Sequence, residues 1–248
     1  MITIKTPEEI KIMKEAGRIL ATVLSEIAKK AAPGITTLEL DRAAEALILS
    51  HGAKPAFKGY DGFPYSLCAS VNDNIVHGLP SGDVLKDGDI IGLDLGVLYQ
   101  GYYSDMAVTV AVGKISFEAK RLIDVTKKSL RLGIKKAKVG NTIGDIGNTI
   151  QRFAETQGFG VVRELCGHGI GKGLHEEPKV PNFGKRGGGE KLVEGMVICI
   201  EPMVTTGDYN LKKSADGYGF ATKDGGLSAH FEHTIAITKK GSIILTEI

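Results

Sequence analysis

Two helical segments followed by two acid-bearing strand segments occur twice in this chain of 248 residues, and that repeat limits what it can fold into. Thr6-Pro7-Glu8-Glu9 starts the first helix, with a capping threonine, proline at the first helical position and acids at the positive helix end. Ile10, Met13, Ile19, Leu20, Val23 and Ile27 continue it at helical spacing to about Ala31, before Pro33-Gly34. Thr37 to Ser50 reads as a second helix. Phe117 to about Ala137 and Ile143 to Gln157 read as a second pair. The segments beginning at Asp89, Asp105, Met196 and Glu232 are rich in β-branched residues and read as strands.

Aligning the segments makes the repeat explicit. Gly34 and Gly140, Thr36 and Thr142, Glu39 and Asp145, and Gly52 and Gly158 are each 106 residues apart. LKDGDIIGLD (85–94) lies over LVEGMVICIE (192–201) at an offset of 107, so that Asp94 meets Glu201. Asp105-Met-Ala-Val-Thr-Val matches Glu232-His-Thr-Ile-Ala-Ile at an offset of 127. The order of these matches, with acid falling on acid, points to a duplicated half. The expected architecture is α+β: one domain over 1–248, with halves at roughly 1–112 and 113–248 sharing an antiparallel sheet covered by helices.

Four carboxylates emerge from the repeat: Asp94, Asp105, Glu201 and Glu232. Ionised acids beside apolar strand sequence are costly unless paired or metal-bound. Glu201 ends Val197-Ile-Cys-Ile200 and precedes Pro202, which keeps it extended. Asp94 and Asp105 flank a hairpin around Tyr99-Gln100-Gly101. A two-residue turn puts both carboxylates on one face, and a three-residue turn puts them on opposite faces. Four acids facing one another cannot all ionise without cations, and their charge matches two divalent ions.

Histidines supply the next signal. Cys166-Gly-His168-Gly-Ile-Gly-Lys-Gly-Leu-His175-Glu-Glu-Pro178 places glycines around two histidines and reads as a loop that positions side chains. His77 lies in turn-like sequence and is a further candidate. His51 sits at a helix end, and His233 would point away from Glu232 along a strand, so both read as structural. HGIGKG departs from the phosphate-loop and dinucleotide patterns, and no Gly-x-Ser-x-Gly elbow is present.

Composition excludes other classes. Formal net charge is +2, which argues against a binder driven by bulk charge. Cys68, Cys166 and Cys199 are far apart and form no CxxC pair, so a disulfide framework and a structural zinc finger are excluded. No apolar run is long enough to span a bilayer. The N-terminal MITIKTPEEIKIMKEAG has no signal-type apolar core, so a cytoplasmic location is expected.

The order Asp94, Asp105, His168, Glu201, Glu232, with CGHGIGKGLHEEP and GLSAHFEHT, resembles type I methionine aminopeptidases of the bacterial form, over essentially the whole chain. Only 25 residues separate His175 from Glu201, so the type II insertion is absent. The resemblance implies the pita-bread fold, a curved antiparallel sheet shared by two pseudo-symmetric halves. It implies a dinuclear centre of Co, Mn, Fe(II) or Zn in which Asp94 chelates one ion, His168 and Glu201 bind the other, and Asp105 and Glu232 bridge. A metal-bridging hydroxide would attack the first peptide carbonyl, with Glu201 as proton shuttle, His175 stabilising the oxyanion and His77 contacting the amide or leaving group. Tyr60, Phe63, Cys68 and Tyr218 would line the methionine pocket. A monovalent cation is expected near Asn72, Asn74 and Ser228.

By the same resemblance the substrates are nascent chains beginning with Met and a small second residue. The enzyme is expected to be a monomer, with transient ribosome contact and neither membrane nor specific nucleic-acid partners. Departures fall on the pocket: Tyr218 replaces a frequent tryptophan, Leu165 and Leu174 stand where relatives carry Tyr and Phe, and His230 replaces a polar amide. An Xaa-Pro aminopeptidase or prolidase shares the five ligands but usually carries a large extra N-terminal domain. A non-catalytic module on the fold usually loses ligands.

Overall fold

The computed structural model describes residues 2–214 and 216–248. Helix α1 spans Pro7–Lys30. Its start is fixed by a reciprocal cap, in which Glu9 N–H donates to the Thr6 side chain and Thr6 N–H donates to the Glu9 carboxylate. Helices α2 (Thr37–Ser50) and α4 (Ile143–Thr156) are each 14 residues long, with the same cap built by Thr36 with Glu39 and by Thr142 with Asp145. Helix α3 spans Phe117–Lys136 and is capped by Ser116. The helix pairs repeat in detail: isolated bridges join Thr36 to Val84 and Thr142 to Lys191.

Helices α1 and α2 bury Leu20, Leu24, Leu40 and Ile48 against Ile91, Leu93 and Leu95 of the central hairpin. Helices α3 and α4 bury Leu130, Ile134, Ile146 and Ile150 against Ile198, Ile200, Ile235 and Ile237. Each half thus covers its own strands with its own helix pair. Among the described residues, no helix is long and apolar enough to cross a membrane.

The first hairpin, Ile90–Tyr99 with Tyr102–Ala111, turns through two residues, Gln100 (φ 48°) and Gly101 (φ 84°). Two successive positive φ values fit the strand twist, and glycine adopts the second without strain. The register places Asp94 opposite Ala107 and Asp105 opposite Gly96. Both carboxylates therefore leave the same face, which settles the alternative that the sequence left open. In the other half, Val197–Ile200 pairs antiparallel with His233–Thr238, Ile200 opposite His233.

Strands Asn74–Val76 and Phe220–Thr222 pair across the two halves, but at the acid-bearing hairpin the described residues form no regular ladder between them. Glu232 N–H donates to the Ala107 carbonyl at 2.9 Å. On either side of that bond a threonine hydroxyl stands in for backbone. Thr234 Oγ1 accepts from Asp105 N–H at 3.0 Å and donates to the Asp105 carbonyl at 2.8 Å. Thr109 Oγ1 does the same for His230, at 2.8 and 2.9 Å. Positions 105 and 234, 107 and 232, and 109 and 230 thus face each other in antiparallel register. Thr234→Val keeps the shape but orphans both backbone groups of Asp105, and is expected to cost about 2–4 kcal/mol. Urea unfolding with an unchanged m-value measures it. A loss below about 0.5 kcal/mol, the size of an ordinary surface substitution, would mean that the hydroxyl does not close the seam.

Candidate functional site

The seam gathers the acids that the repeat marks. Asp94, Asp105 and Glu232 are 9%, 3% and 2% exposed. One oxygen from each lies within 4.8 Å of the others. His168 Nε2 lies 3.9 Å from Asp105 Oδ2 and 3.8 Å from Glu201 Oε1. All five expected ligands therefore converge, drawn from the first hairpin, the Gly167–Gly169 strand and the one end of the second-half strand pair where Ile200 faces His233.

His168 is prepared for ligation. Its Nδ1 lies 2.9 Å from the Gly169 carbonyl, which can only accept, so Nδ1 donates there and Nε2 is left facing the acids. The loop expected for this stretch holds over residues 170–175, which carry His175, but His168 itself sits on extended backbone. Gly167–Gly169 is a short strand paired with Glu176–Val180 and Val197–Ile200. The glycines serve close strand approach: a Cβ at Gly167 would lie 2.3 Å from the Cys199 carbonyl oxygen, and one at Gly169 2.2 Å from that of Glu177.

Electrostatics and hydrogen bonding both call for cations. Burial, with the Glu201 charge adding and nearby His230 opposing, pushes the Asp94 carboxyl up to about 7. Burial first, then repulsion from Asp94 and Glu201, drives Asp105 well above the carboxylate range, and burial with repulsion from Asp105 does the same to Glu232. Asp94 Oδ1 and Glu232 Oε1 are buried without a hydrogen-bond partner among the described residues. Orphaned carboxylate oxygens beside one imidazole nitrogen fit divalent ions that accept oxygen and imidazole donors.

Above the acids lies a pocket that all the expected substrate-binding residues line: Tyr60, Phe63, Cys68, Tyr218, His77 and His175. The Phe63 and Tyr218 rings meet edge to face, 5.7 Å between centroids, and Tyr218 Oη donates to the Gly62 carbonyl at 3.0 Å. Burial, reinforced by the neighbouring acids, raises the Cys68 thiol well above its usual range, so it serves as apolar wall rather than nucleophile. His175 lies edge-on to His168, 4.4 Å between ring centroids, with its Nδ1 3.0 Å from Tyr60 Oη. Burial, then the neighbouring His168, lowers its pKa to about 4, so its ring is neutral at pH 7. His77 holds a left-handed backbone (φ 58°), uncommon outside glycine, with its ring against Phe220. Ser228 Oγ lies 3.1 and 3.0 Å from the carbonyl oxygens of Asn72 and Asn74, so these three residues are neighbours.

Sequence reasoning left some neighbours unassigned. Phe57 and Asp61 also line the pocket; Leu174, which the resemblance already sets there, lines it too, while Leu165 lines an adjoining groove with Cys166 and Met203. His230 is 3% exposed, and its Nε2 lies 3.5 Å from Glu201 Oε2. The available signal was its spacing of two from Glu232, which puts both on one strand face. Cys199 offers its sulfur within 4.8 Å of donor atoms of His168 and Glu232. His233 faces away, with Nδ1 2.8 Å from Thr246 Oγ1, and His51 caps the end of α2, as their structural readings expected.

Residues 11–239 match the model of metallopeptidase family M24. The chain is 52% identical to a methionine aminopeptidase of Clostridium perfringens over 248 residues, covering 100% of both chains. It superposes on the crystal structure of a methionine aminopeptidase from Thermotoga maritima with a TM-score of 0.98 at 45% identity, covering 100% of both chains. A prolidase from Pyrococcus furiosus gives a TM-score of 0.77 at 25% identity, covering 99% of this chain and 65% of that one.

Proposed function

The chain belongs to metallopeptidase family M24, with the type I bacterial methionine aminopeptidases, and from that premise we propose that it removes the initiator methionine from peptides and new proteins whose second residue is small. The observation that carries this reading is the joining of two features in one cavity. Five acid and imidazole donors form its base, and an apolar wall of Phe57, Phe63, Cys68 and Leu174 stands beside them. An unbranched, polarizable methionine side chain suits a wall of aromatic and sulfur groups.

We assign Asp94, Asp105, His168, Glu201 and Glu232 to two divalent ions drawn from Co, Mn, Fe(II) and Zn. Bound there, such ions supply Lewis acidity, which polarises a carbonyl and makes water a nucleophile at neutral pH. The protein's own groups do the rest. Glu201 takes a proton from the attacking water and passes it toward the leaving amine. His175, neutral at pH 7, donates a hydrogen bond to the carbonyl oxygen as negative charge develops there. His77 contacts the scissile amide. Tyr60, Phe63, Cys68 and Tyr218 hold the methionine side chain. A free α-amine beside Asp94 sets the exopeptidase register, because an internal peptide bond has none to present.

The same reading makes residues 1–248 one catalytic domain of two halves, at roughly 1–112 and 113–248, acting as a monomer. It places the enzyme in the cytoplasm, where nascent chains emerge and transient ribosome contact follows, and where three free cysteines suit a reducing compartment. A monovalent cation is assigned to the Asn72, Asn74 and Ser228 cluster.

Substrate choice tests the proposal. Met-Ala-Ser should be cleaved with a kcat/KM on the order of 100-fold above that for Met-Lys-Ser, an expected steric rejection of the long side chain. Equal rates on both would overturn the assigned specificity. Efficient release of the first residue from an Xaa-Pro peptide would support the prolidase reading instead.

A further inference from the structure

A second polar cluster lies beside His175, outside the metal centre. Lys5 is 6% exposed. Its Nζ donates to Glu176 Oε2 at 2.7 Å and to Thr3 Oγ1 at 2.5 Å. The Thr3 hydroxyl also donates to Glu176 Oε2. The other oxygen, Glu176 Oε1, accepts the Gly173 N–H at 2.9 Å. Both oxygens of one carboxylate are thus committed, one to the N-terminal segment and one to the turn that carries His175.

The segment that supplies Lys5 is itself anchored. Lys5 N–H donates to the Gly195 carbonyl at 2.8 Å. Ile2 packs on the apolar core of the second half, while Pro7 opens α1 against the first. The fit to the turn is close: a Cβ at Gly171 would lie 2.5 Å from Lys5 Cε. Gly171 N–H in turn donates to the Gly173 carbonyl at 3.0 Å. Residues 2–5 therefore run as a strap across the base of the 171–176 turn.

His175 needs such support. It is the residue before Glu176, and its side-chain hydrogen bond is the one with Tyr60. The aim of its ring is set chiefly by the backbone of the turn. Stability alone is a poor account of the cluster, because a buried ion pair commonly gains little over an apolar pair of the same shape.

We propose that Lys5 and Glu176 are positioning residues that hold the 171–176 turn so that His175 meets the reacting carbonyl. The inference rests on the role given to His175 above. A shift of about 1 Å in such a group can cost up to about 100-fold in rate.

The test is a double-mutant cycle on Met-Ala-Ser with Lys5→Met and His175→Ala, with Glu176→Gln as a second entry into the cluster. Lys5→Met and Glu176→Gln are each expected to lower kcat roughly 10-fold with KM within about twofold. Calorimetric affinity for Mn(II) should be unchanged, since no metal ligand is touched. In the His175→Ala background Lys5→Met should cost nothing further. In the metal-free protein, Glu176→Gln should shift the His175 ring signals in ¹H–¹⁵N spectra while those of His51 stay in place. If His175→Ala alone keeps wild-type kcat, the role given to His175 falls. If His175→Ala is slow but Lys5→Met and Glu176→Gln keep wild-type kcat, or slow both backgrounds equally, the positioning proposal is overturned. Should Lys5→Met fail to fold, Glu176→Gln alone and in the His175→Ala background decides by the same criteria.

Discussion

Glu201→Gln is expected to lower kcat on Met-Ala-Ser by roughly 1000-fold while leaving the fold in place, the size of effect that loss of a positioned acid–base group produces. The substitution keeps the side chain's shape. It also spares the local anchor, because Asn182 Nδ2 donates to the backbone carbonyl of Glu201, at 2.9 Å, and not to its carboxylate. It removes one negative charge from a cluster in which Glu201 repels Asp94, Asp105 and Glu232. The metal-free variant should therefore be at least as stable as the metal-free parent, although it turns over far more slowly and binds Mn(II) more weakly. A misfolded variant would lose stability as well as activity. A Glu201→Gln enzyme within about tenfold of the parent would remove this carboxylate from the proton path.

Stripping the divalent ions should abolish activity, by about three orders of magnitude or more, and should change how stability depends on pH. The sign follows from the raised carboxyls. Asp94 moves from 3.8 up to about 7, so without ions the folded state favours its protonated form. Its contribution is fully present below about pH 4 and is lost as pH rises through 7. Asp105 and Glu232, raised by the same burial, add losses of the same sign. Divalent ions replace those protons, so metal binding strengthens as pH rises. The Tm gained on adding Mn(II) should be larger at pH 7.5 than at pH 5, with about 2.7 kcal/mol of stabilisation once the ion exceeds its Kd 100-fold. Thermal melts at the two pH values, with and without chelator, measure it. Full activity in chelator, or a metal-induced Tm shift that shrinks as pH rises, would contradict the assignment.

Legibility in the sequence followed the range of the interaction. The helix starts at Thr6, Thr36 and Thr142 were readable because each cap is completed within three residues. The acid positions were readable because the repeat prints them twice. The hairpin was readable only up to a choice of parity, since a single residue in the turn decides whether Asp94 and Asp105 share a face. The stretch around His168 read as a loop because its glycines looked permissive. In the structure two of those glycines admit neighbouring backbone, a requirement set by Val197–Ile200 and Glu176–Val180, which lie beyond any local window.

The sequence by itself determined the four helices, the identity and order of the five metal-ligand candidates, and the pairing of each acid with its counterpart in the other half. Those features are carried by side-chain type and by contacts close along the chain. Tertiary structure decided how the halves close, through the hydroxyls of Thr109 and Thr234. It also brought His230 beside Glu201 and set Lys5 against Glu176, 171 residues away. No periodicity encodes such meetings, because each depends on two distant segments being brought to one place by cores that neither of them forms alone.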